Sequence, residues 1–326
     1  GDTLCPPDFP DPLPGIRQEE PTISMVFCVN TSPFAGREGQ YVTSRQIAAR
    51  LELASLRDEA LTGVPTDAAD ADEVTGRGVM HLGVLAENMR REGYEFAVAK
   101  PHVILKRVDG ALCEPIERAV VEVPTESAGK VIEYLGRRRG EMVHMEPFGE
   151  HTRLDFLVPS RGLIGARTAL MTLTRGEAIL SHVFEKWQPD QGSIPRRTNG
   201  VLVSDRPGDT VPYAIFNLLD RGEFFVPPGT PVYEGMIVGE NNKEGDLSVN
   251  VCREKKLTNV RAAGSDENVK IPPHHVMSLE EALEYIEDDE LVEVTPSNLR
   301  LRKKVLSELD RRQEARKAAK AYQACA

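Results

Sequence analysis

The chain has 326 residues, a net charge of −11 and a hydrophobic fraction of 40%. A single hydrophobic core rarely serves a chain of this length, so we expect two or three domains. No apolar run reaches the roughly 18 residues of a membrane-spanning helix, and the start of the chain has no signal peptide, so we expect no membrane association. The five cysteines are scattered and never form a CxxC pair, which indicates reduced thiols in the cytoplasm.

Residues 1–20 are rich in proline and predict an extended linker. They contain no recognisable helix or strand and no initial methionine. We therefore expect this chain to be a fragment of a longer protein.

Residues 21–110 predict an α+β domain with the element order β-α-β-β-α-β. The β-rich run TISMVFCV is followed by a helical spacing of apolar residues at Ile47, Leu51 and Ala54. A second helical segment, MHLGVLAENMRREG, is expected to end at Gly93, and a closing strand follows it. This order is that of the split βαβ, or ferredoxin-like, domain.

Residues 111–190 predict the same order a second time. The strand IERAVVEVP precedes a helix that is expected to end at Gly140, and EMVHMEPF and TRLDFLVPS predict a hairpin. The segment GLIGARTALMTLTRG predicts one helix ending at Gly176, and EAILSHVFEKW predicts the last strand. We therefore predict two ferredoxin-like domains, which share element order without obvious sequence identity.

Residues 191–326 predict a β-rich C-terminal domain. The short runs GVLVSD, YAIFNLL, TPVYEGMIVGE and DLSVNVC alternate with turn residues, as in an antiparallel sheet or a partly closed barrel. Ser278 followed by Glu281 predicts a capping box at the start of a helix. The segment ELVEVTPSNLRLRK predicts a strand, a turn and a strand, and the basic tail predicts a helix.

The sequence contains none of the motifs GxxxxGK[ST], GxSxG, HExxH or paired CxxC, so we expect no enzymatic activity and no metal site in this chain. His274 and His275 are adjacent, and in an extended segment their rings would point in opposite directions, which argues against a shared metal ion. Residues 280–293 hold eight acidic residues without the spacing of a calcium loop, so we expect a solvated helix face there.

The local distribution of charge nevertheless favours a polyanion as partner. Residues 191–326 hold 19 basic and 22 acidic residues, but eight of the acidic residues fall within 280–293. A long basic loop occupies residues 253–270, and unstructured loops of this length are uncommon in compact domains and are often functional. Its polar content suits the backbone and sugar edges of folded RNA, whereas the alternative is a disordered insertion.

The segment PSRGLIGAR is a second candidate for phosphate contact. It places a GxxG, flanked by Arg161 and Arg167, at the start of a helix directly after a strand. Backbone N–H groups at a helix start attract anions, and glycines permit close approach. The alternative is that Gly162 and Gly165 allow tight packing of the helix on the sheet.

Residues 300–320 are a third candidate, with nine basic and three acidic residues. Strand alternation puts Arg300 and Arg302 on one face, and Lys303 and Lys304 follow them. Phosphate contact would release counterions and weaken steeply with salt. The alternative is a solvated strand and tail.

Several segments resemble the C-terminal half of the BipA/TypA family of ribosome-associated translational GTPases. They include PSRGLIGARTALMTLTRGEAILSHVFEKW, KKLTNVRAAGSDE and DDELVEVTPSNLRLRK, and the resemblance covers nearly the whole chain. The last two are specific to that family, whereas the GLIG segment also fits the wider elongation factor G group. The sequence departs from the family pattern at residues 62–76 and 192–197.

The resemblance implies that a GTPase domain and a β-barrel domain precede this chain, and that GTP and Mg²⁺ bind there and not here. It implies that the two ferredoxin-like domains correspond to the third and fifth domains of elongation factor G. It also implies docking on the ribosome, with large-subunit rRNA and A-site tRNA as partners. Roles in large-subunit assembly and in growth under cold or stress go with the family, and we expect a monomer off the ribosome.

The family's tRNA-facing loop maps onto residues 253–269. The resemblance thereby implies RNA contact for a set of polar and basic residues there and at its end: Arg253, Lys255, Lys256, Asn259, Arg261 and Lys270. Arg161 and Arg167 are weaker candidates for ribosomal contact.

Two other classes of function stay open. Paired ferredoxin-like domains also form regulatory modules that bind small molecules such as amino acids, and such a module would be stabilised by its ligand. A metabolic enzyme would need convergent acid–base groups, which the sequence does not supply. Neither class explains the basic loop.

Overall fold

The structure is a computed structural model that describes residues 3, 5–8, 11, 21–66, 70–108, 110–190, 192, 194, 197–255 and 271–325. Most of the predicted linker lies outside the described residues. None of the helices in the described ranges is long and apolar enough to cross a membrane.

The chain contains both helices and mainly antiparallel sheets, which confirms the predicted mixture of α and β structure. The strands are β1 Ile23–Cys28, β2 Thr62–Pro65, β3 Ala71–Gly76, β4 Phe96–Ala99, β5 His102–Val103, β6 Lys106–Val108, β7 Ala111–Pro124, β8 Glu141–Phe148, β9 His151–Pro159, β10 Ile179–Pro189, β11 Val201–Ser204, β12 Gly208–Asp209, β13 Gly222–Phe224, β14 Pro231–Val232, β15 Met236–Asn241, β16 Leu247–Val249, β17 Glu290–Val294 and β18 Leu299–Lys303. The α-helices are α1 Ser44–Arg57, α2 Val79–Arg91, α3 Ala128–Arg137, α4 Ser160–Leu163, α5 Ala166–Leu173, α6 Pro212–Leu218, α7 Leu279–Tyr285 and α8 Glu308–Cys325.

The first unit, residues 21–108, forms its sheet in the order β4-β1-β3-β2. Each neighbouring pair is antiparallel, so β3 lies between β1 and β2. The alternating residues Ile23, Met25 and Phe27 of β1 pack against α1 and α2 in one core. The second helix ends at Arg91 and is followed by Gly93 with φ +94°, which confirms the predicted stop.

The second unit, residues 111–190, repeats this arrangement with the order β10-β7-β9-β8, again antiparallel. The predicted hairpin is confirmed as β8–β9. The predicted end of α3 at Gly140 is wrong, because the helix ends at Arg137 and the left-handed residue is Arg139 with φ 66°. Gly140 is needed for another reason: a Cβ there would lie 2.8 Å from the Leu135 carbonyl oxygen, which accepts the Gly140 N–H.

In the C-terminal region, β12 and β14 form a small two-stranded sheet of their own, and the other strands join the sheet of the first unit. Strand β17 pairs antiparallel with β4, from Leu291↔Ala99 to Val294↔Phe96. The sheet of the first unit thereby continues through β18, β15 and β11 to β16, and β11 and β16 are parallel. The predicted antiparallel pairing is confirmed for β11–β15, β13–β15, β15–β18 and β17–β18. The sheet is nevertheless shared with the first unit, because β17 satisfies the open edge of β4.

The long sheet has a core on each face. On one face, Val292, Val294 and Leu301 of the C-terminal strands share a buried cluster with the helices of the first unit and with α7. On the other face, Leu202, Val238 and Val249 pack with α6 and with Tyr233. The first unit and the C-terminal strands are thus buried together.

Two local predictions for the C-terminal region had different outcomes. The capping box is confirmed, since the Ser278 hydroxyl accepts the Glu281 N–H at 3.2 Å. The run YAIFNLL, predicted as a strand, is the helix α6. A short apolar run is ambiguous between the two, and Pro212 at the first helical turn is the position that proline favours.

Candidate RNA-binding surface

The basic loop leaves the C-terminal body from two anchored ends. Val249 and Val251 precede it and are buried, and Ile271, which follows it, packs against the same cluster. The Val251 carbonyl accepts the Val211 N–H at 2.9 Å, which ties the first end to the start of α6. The body therefore holds both ends of the loop.

The structure describes two of the six predicted loop residues. Arg253 and Lys255 are exposed at the first end of the loop, directly after buried Val251. The other four lie outside the described residues: Lys256, Asn259, Arg261 and Lys270. RNA contact by this loop therefore stays a prediction.

Arg161 is engaged within the protein. It binds the fully buried carboxylate of Glu114 at 2.5 and 3.0 Å, Asp190 at 2.8 Å and the Gly192 carbonyl at 2.5 Å. The hydrogen bond to Glu114 raises the pKa of Arg161 above its ordinary value. This corrects the prediction of a phosphate contact, because phosphate would have to displace two carboxylates.

The two glycines of the GLIG segment have different roles. Gly162 permits close packing, and Gly165 interrupts the helix. A Cβ on Gly162 would lie 2.7 Å from the Arg138 carbonyl oxygen, so the α4 backbone approaches the end of α3 closely. Gly165 has φ +73° and separates α4 from α5, where one continuous helix was predicted. Arg138 donates to the carbonyls of Gly162 and Ile164 at 3.1 and 2.7 Å, which satisfies the end of α4.

Arg167 is exposed and lies at a cavity of about 140 Å³ where the first unit, the second unit and α7 meet. His182 and Glu117 form an ion pair in this cavity. Thr168 donates to the Glu284 carboxylate of α7 at 3.0 Å, which joins the second unit to the C-terminal region. Burial raises the pKa of Glu284. The structure thus places Arg167 at a joint between the units.

Arg300 and Arg302 lie on one face of β18, as alternation predicted, but that face is buried. Arg302 is 2% exposed and Arg300 9% exposed. Arg300 binds Glu38 of the first unit and lies over the Phe34 ring, and both arginines face the buried Glu293. Arg300 and Arg302 are therefore neither available to phosphate nor solvated, so both interpretations of this strand are wrong for these two residues.

Lys303, on the opposite face of β18, is also buried and paired. Its ammonium lies 2.5 Å from Asp246, 2.8 Å from Asp289 and 2.9 Å from Glu290. Burial alone would lower the pKa of Lys303, but Glu290 and the hydrogen bonds raise it above its ordinary value. Of the four basic residues predicted on this strand, Lys304 is the exposed one.

The acidic segment 280–293 supplies many of the partners for these cations. Helix α7 ends at Tyr285, so the later acidic residues do not lie on it. Glu290 and Glu293 are fully buried, and Glu287 pairs with Lys100 at 2.6 Å. The predicted solvated helix face is therefore wrong for this half of the segment.

Sequence reasoning missed Arg197 and Glu38. The Arg197 guanidinium binds Glu290 at 2.9 and 3.2 Å and lies 4.5 Å from the centre of the Tyr285 ring. Glu38 accepts hydrogen bonds from Thr295 and Asn298 as well as from Arg300. These partners lie 93 and about 260 positions away, so no local pattern could reveal them.

Part of the C-terminal charge therefore cancels inside the protein. The acidic residues of 287–293 neutralise Arg300, Arg302 and Lys303, so neither group adds to the surface potential as the sequence suggested. Within the residues that the structure describes, no cluster of three or more His, Cys, Asp or Glu side chains could hold a metal ion.

Two protein-family models match adjacent parts of this chain. A family model described as elongation factor G C-terminus matches residues 111–198. A model described as TypA/BipA C-terminal domain matches residues 199–308. The second unit and the C-terminal region thus define a protein of the elongation factor G class.

Individual curated relatives show which family within this class the chain belongs to. The chain is 53% identical over 319 residues to the large ribosomal subunit assembly factor BipA of Bacillus subtilis, covering 97% of this chain and 52% of that protein. It is 49% identical to the proteins of the same name from Salmonella typhimurium and from Synechocystis, covering 97% and 96% of this chain and 52% of each relative. The chain belongs to the BipA/TypA family and spans about half the length of the relatives it matches.

The buried pairing of Glu293 leads to a first prediction. Replacing Glu293 with Gln leaves Arg300 and Arg302 buried with less opposing charge, and we expect a loss of about 3–5 kcal/mol in the free energy of unfolding. Urea unfolding measures it. The control is Glu185→Gln in the exposed pair with Arg118, where we expect little change. Equal effects of the two substitutions would contradict the role given to the buried network.

The packing at Gly162 leads to a second prediction. Gly162→Ala should destabilise the protein by about 1–3 kcal/mol, because the Arg138 carbonyl leaves no room for a methyl group. Gly129→Ala in α3 is the matched control: a Cβ there meets nothing within 4 Å, and we expect a gain of about 0.5–1 kcal/mol. Thermal unfolding compares the two. If Gly162→Ala were neutral for stability yet weakened RNA binding, the packing interpretation would be wrong.

His182 leads to a third prediction, on pH. The hydrogen bond to Glu117 raises the pKa of His182 above its ordinary value of 6.5. The stability that this pair contributes is therefore complete below pH 6.5 and is lost as pH rises through the folded-state pKa. His182→Gln should remove this decline above pH 6.5, measured by urea unfolding across pH. An unchanged pH profile would show that the pair does not stabilise the joint.

Proposed function

We propose that this chain is the ribosome-docking portion of a translational GTPase that acts in assembly of the large ribosomal subunit. The observation that carries the proposal is similarity over 96–97% of the chain to relatives named large ribosomal subunit assembly factor. GTP and Mg²⁺ would bind in a part of the parent protein outside this chain, since the sequence here has no phosphate-binding loop. The parent would act in the cytoplasm and in adaptation to cold or stress.

The proposed mechanism is docking by shape and charge. Both 21–108 and 111–190 would be ferredoxin-like domains, in line with their strand order. The basic loop 253–270 would contact the large-subunit rRNA and the A-site tRNA, and the body that anchors both of its ends would set its reach. Off the ribosome, the protein would be a monomer. Arg167 and Lys304, both exposed, remain secondary candidates for RNA contact.

Ribosome co-sedimentation at rising salt tests the proposal. We expect the protein to pellet with the large subunit at low salt and to dissociate as salt rises, because phosphate contacts release counterions. Binding that ignores salt, or no binding under conditions in which the full-length parent binds, would contradict docking by charge.

A loop variant supplies a fourth prediction. Replacing Lys255, Lys256 and Arg261 with Ala should lower the slope of log affinity against log salt by about 2–3, since each phosphate contact contributes about 0.7–0.9. A matched control removes three cations elsewhere, Lys130, Arg139 and Arg175, and should leave the slope nearly unchanged. Equal slopes in both variants would place the RNA contacts outside the loop.

A further inference from the structure

Exposed apolar side chains are concentrated on the second unit. Eight of the 18 large apolar side chains that the described residues expose lie within residues 111–190, about a quarter of the chain. Ile179 is 64% exposed, Val183 56% and Phe148 78%. Exposed patches of this kind mark interaction sites in soluble proteins.

Several of these side chains share one face of the sheet, which we call the open face. The other face carries Val121, Leu154 and Phe156, which pack against α3 and α5. Strand alternation turns the next residues outward, and residues paired across strands share a face. The open face therefore carries these residues, according to the registers of the sheet: Arg118, Val120, Glu122, Glu141, His144, Glu146, Phe148, His151, Arg153, Asp155, Leu157, Ile179, Ser181 and Val183.

The charges of the open face argue against RNA as its partner. Arg118 pairs with Glu185 at 2.9 Å, and Arg153 pairs with Asp155 at 3.1 Å, so both arginines are already neutralised. Glu122 and Glu146 add two further carboxylates, of which Glu146 lies 3.8 Å from His144. Carboxylates therefore outnumber the arginines on this face, and like charge repels phosphate. An apolar centre with paired charges around it suits a protein surface.

The edge of the sheet is less suited to binding than its face. The exposed edge strand β8 contains Pro147, which has no N–H to donate, and its register shifts between Met142 and His144. Proline and bulges are the features that keep an edge strand from pairing with another strand. A partner would therefore lie across the open face and not extend the sheet.

We propose that the open face is covered by the part of the parent protein that lies N-terminal to this chain. This inference rests on one part of the proposed function, namely that the chain belongs to a longer parent protein. The relatives are about twice the length of this chain. Because residues 199–308 match a C-terminal domain, the uncovered half of the relatives lies mainly before it. A segment of the same polypeptide has a high effective concentration and needs little contact area to stay bound.

A photo-crosslinker tests the occupant directly. Benzoylphenylalanine replaces Val183 in the full-length protein, purified free of ribosomes, and mass spectrometry maps the crosslink. We expect a crosslink within one chain to a segment that precedes residue 1 of this sequence. The control places the same probe at Leu56, which is 79% exposed on α1 of the first unit, and should give no such crosslink. A crosslink to a second copy, a crosslink that requires ribosomes, or none at all would overturn the proposal.

A substitution on the open face distinguishes loss of the proposed contact from unfolding of the protein. With the probe at Ile179, Val183→Glu should abolish the intramolecular crosslink, whereas Leu56→Glu should retain it. The same Val183→Glu substitution in the 326-residue chain should leave its melting temperature unchanged, because the side chain is exposed there. A retained crosslink would overturn the proposal. Failed ribosome binding with an intact crosslink would instead count against the proposed function alone.

Discussion

The antiparallel pairing of β4 with β17 is the constraint on which the rest of the structure depends. Its four paired positions join the closing strand of the first unit to the C-terminal region. Phe96, Val98, Val292 and Val294 are all fully buried, so the pairing lies inside a core and not at a flexible contact. Because ladder hydrogen bonds tolerate little sliding, the first unit and the C-terminal strands behave as one body. The two ends of the basic loop, at Val251 and Ile271, are therefore fixed relative to the first unit.

Buried charges hold this sheet in one register. Glu293 is paired with Arg300 across β17 and β18, on the face where Tyr233 donates to it. Burial and the neighbouring Glu293 raise the pKa of Tyr233, so its hydroxyl stays protonated and can donate. A slip of one residue would turn Glu293 into the apolar core and put Val292 among the arginines. Such pairs cost desolvation energy and add little net stability, so specificity of pairing is the better explanation for them.

Local chemistry was predictable from the sequence, and distant pairing was not. The element order of both units, the stop at Gly93 and the capping box of Ser278 depend on neighbours within a few residues. The pairing of β4 with β17 and the bonds of Glu38 and Arg197 join segments far apart in the chain. Alternation correctly put Arg300 and Arg302 on one face, but it cannot say whether that face meets water or a buried carboxylate. Charge counts over 191–326 misled for the same reason, since Arg300, Arg302 and Lys303 are paired with acidic residues inside the protein.

The two repeated units have different relations to the rest of the chain, although their strand orders are the same. The first unit loses its free β4 edge to β17, and its helices share a core with α7. The second unit keeps its own sheet and meets the others around a small cavity, where Thr168 binds Glu284 and Ile164 packs against the core of the first unit. The second unit is therefore joined to the body that anchors the loop by side-chain packing around this cavity. Its acidic, partly apolar open face fits contact with protein, and the basic loop on the other body fits contact with RNA.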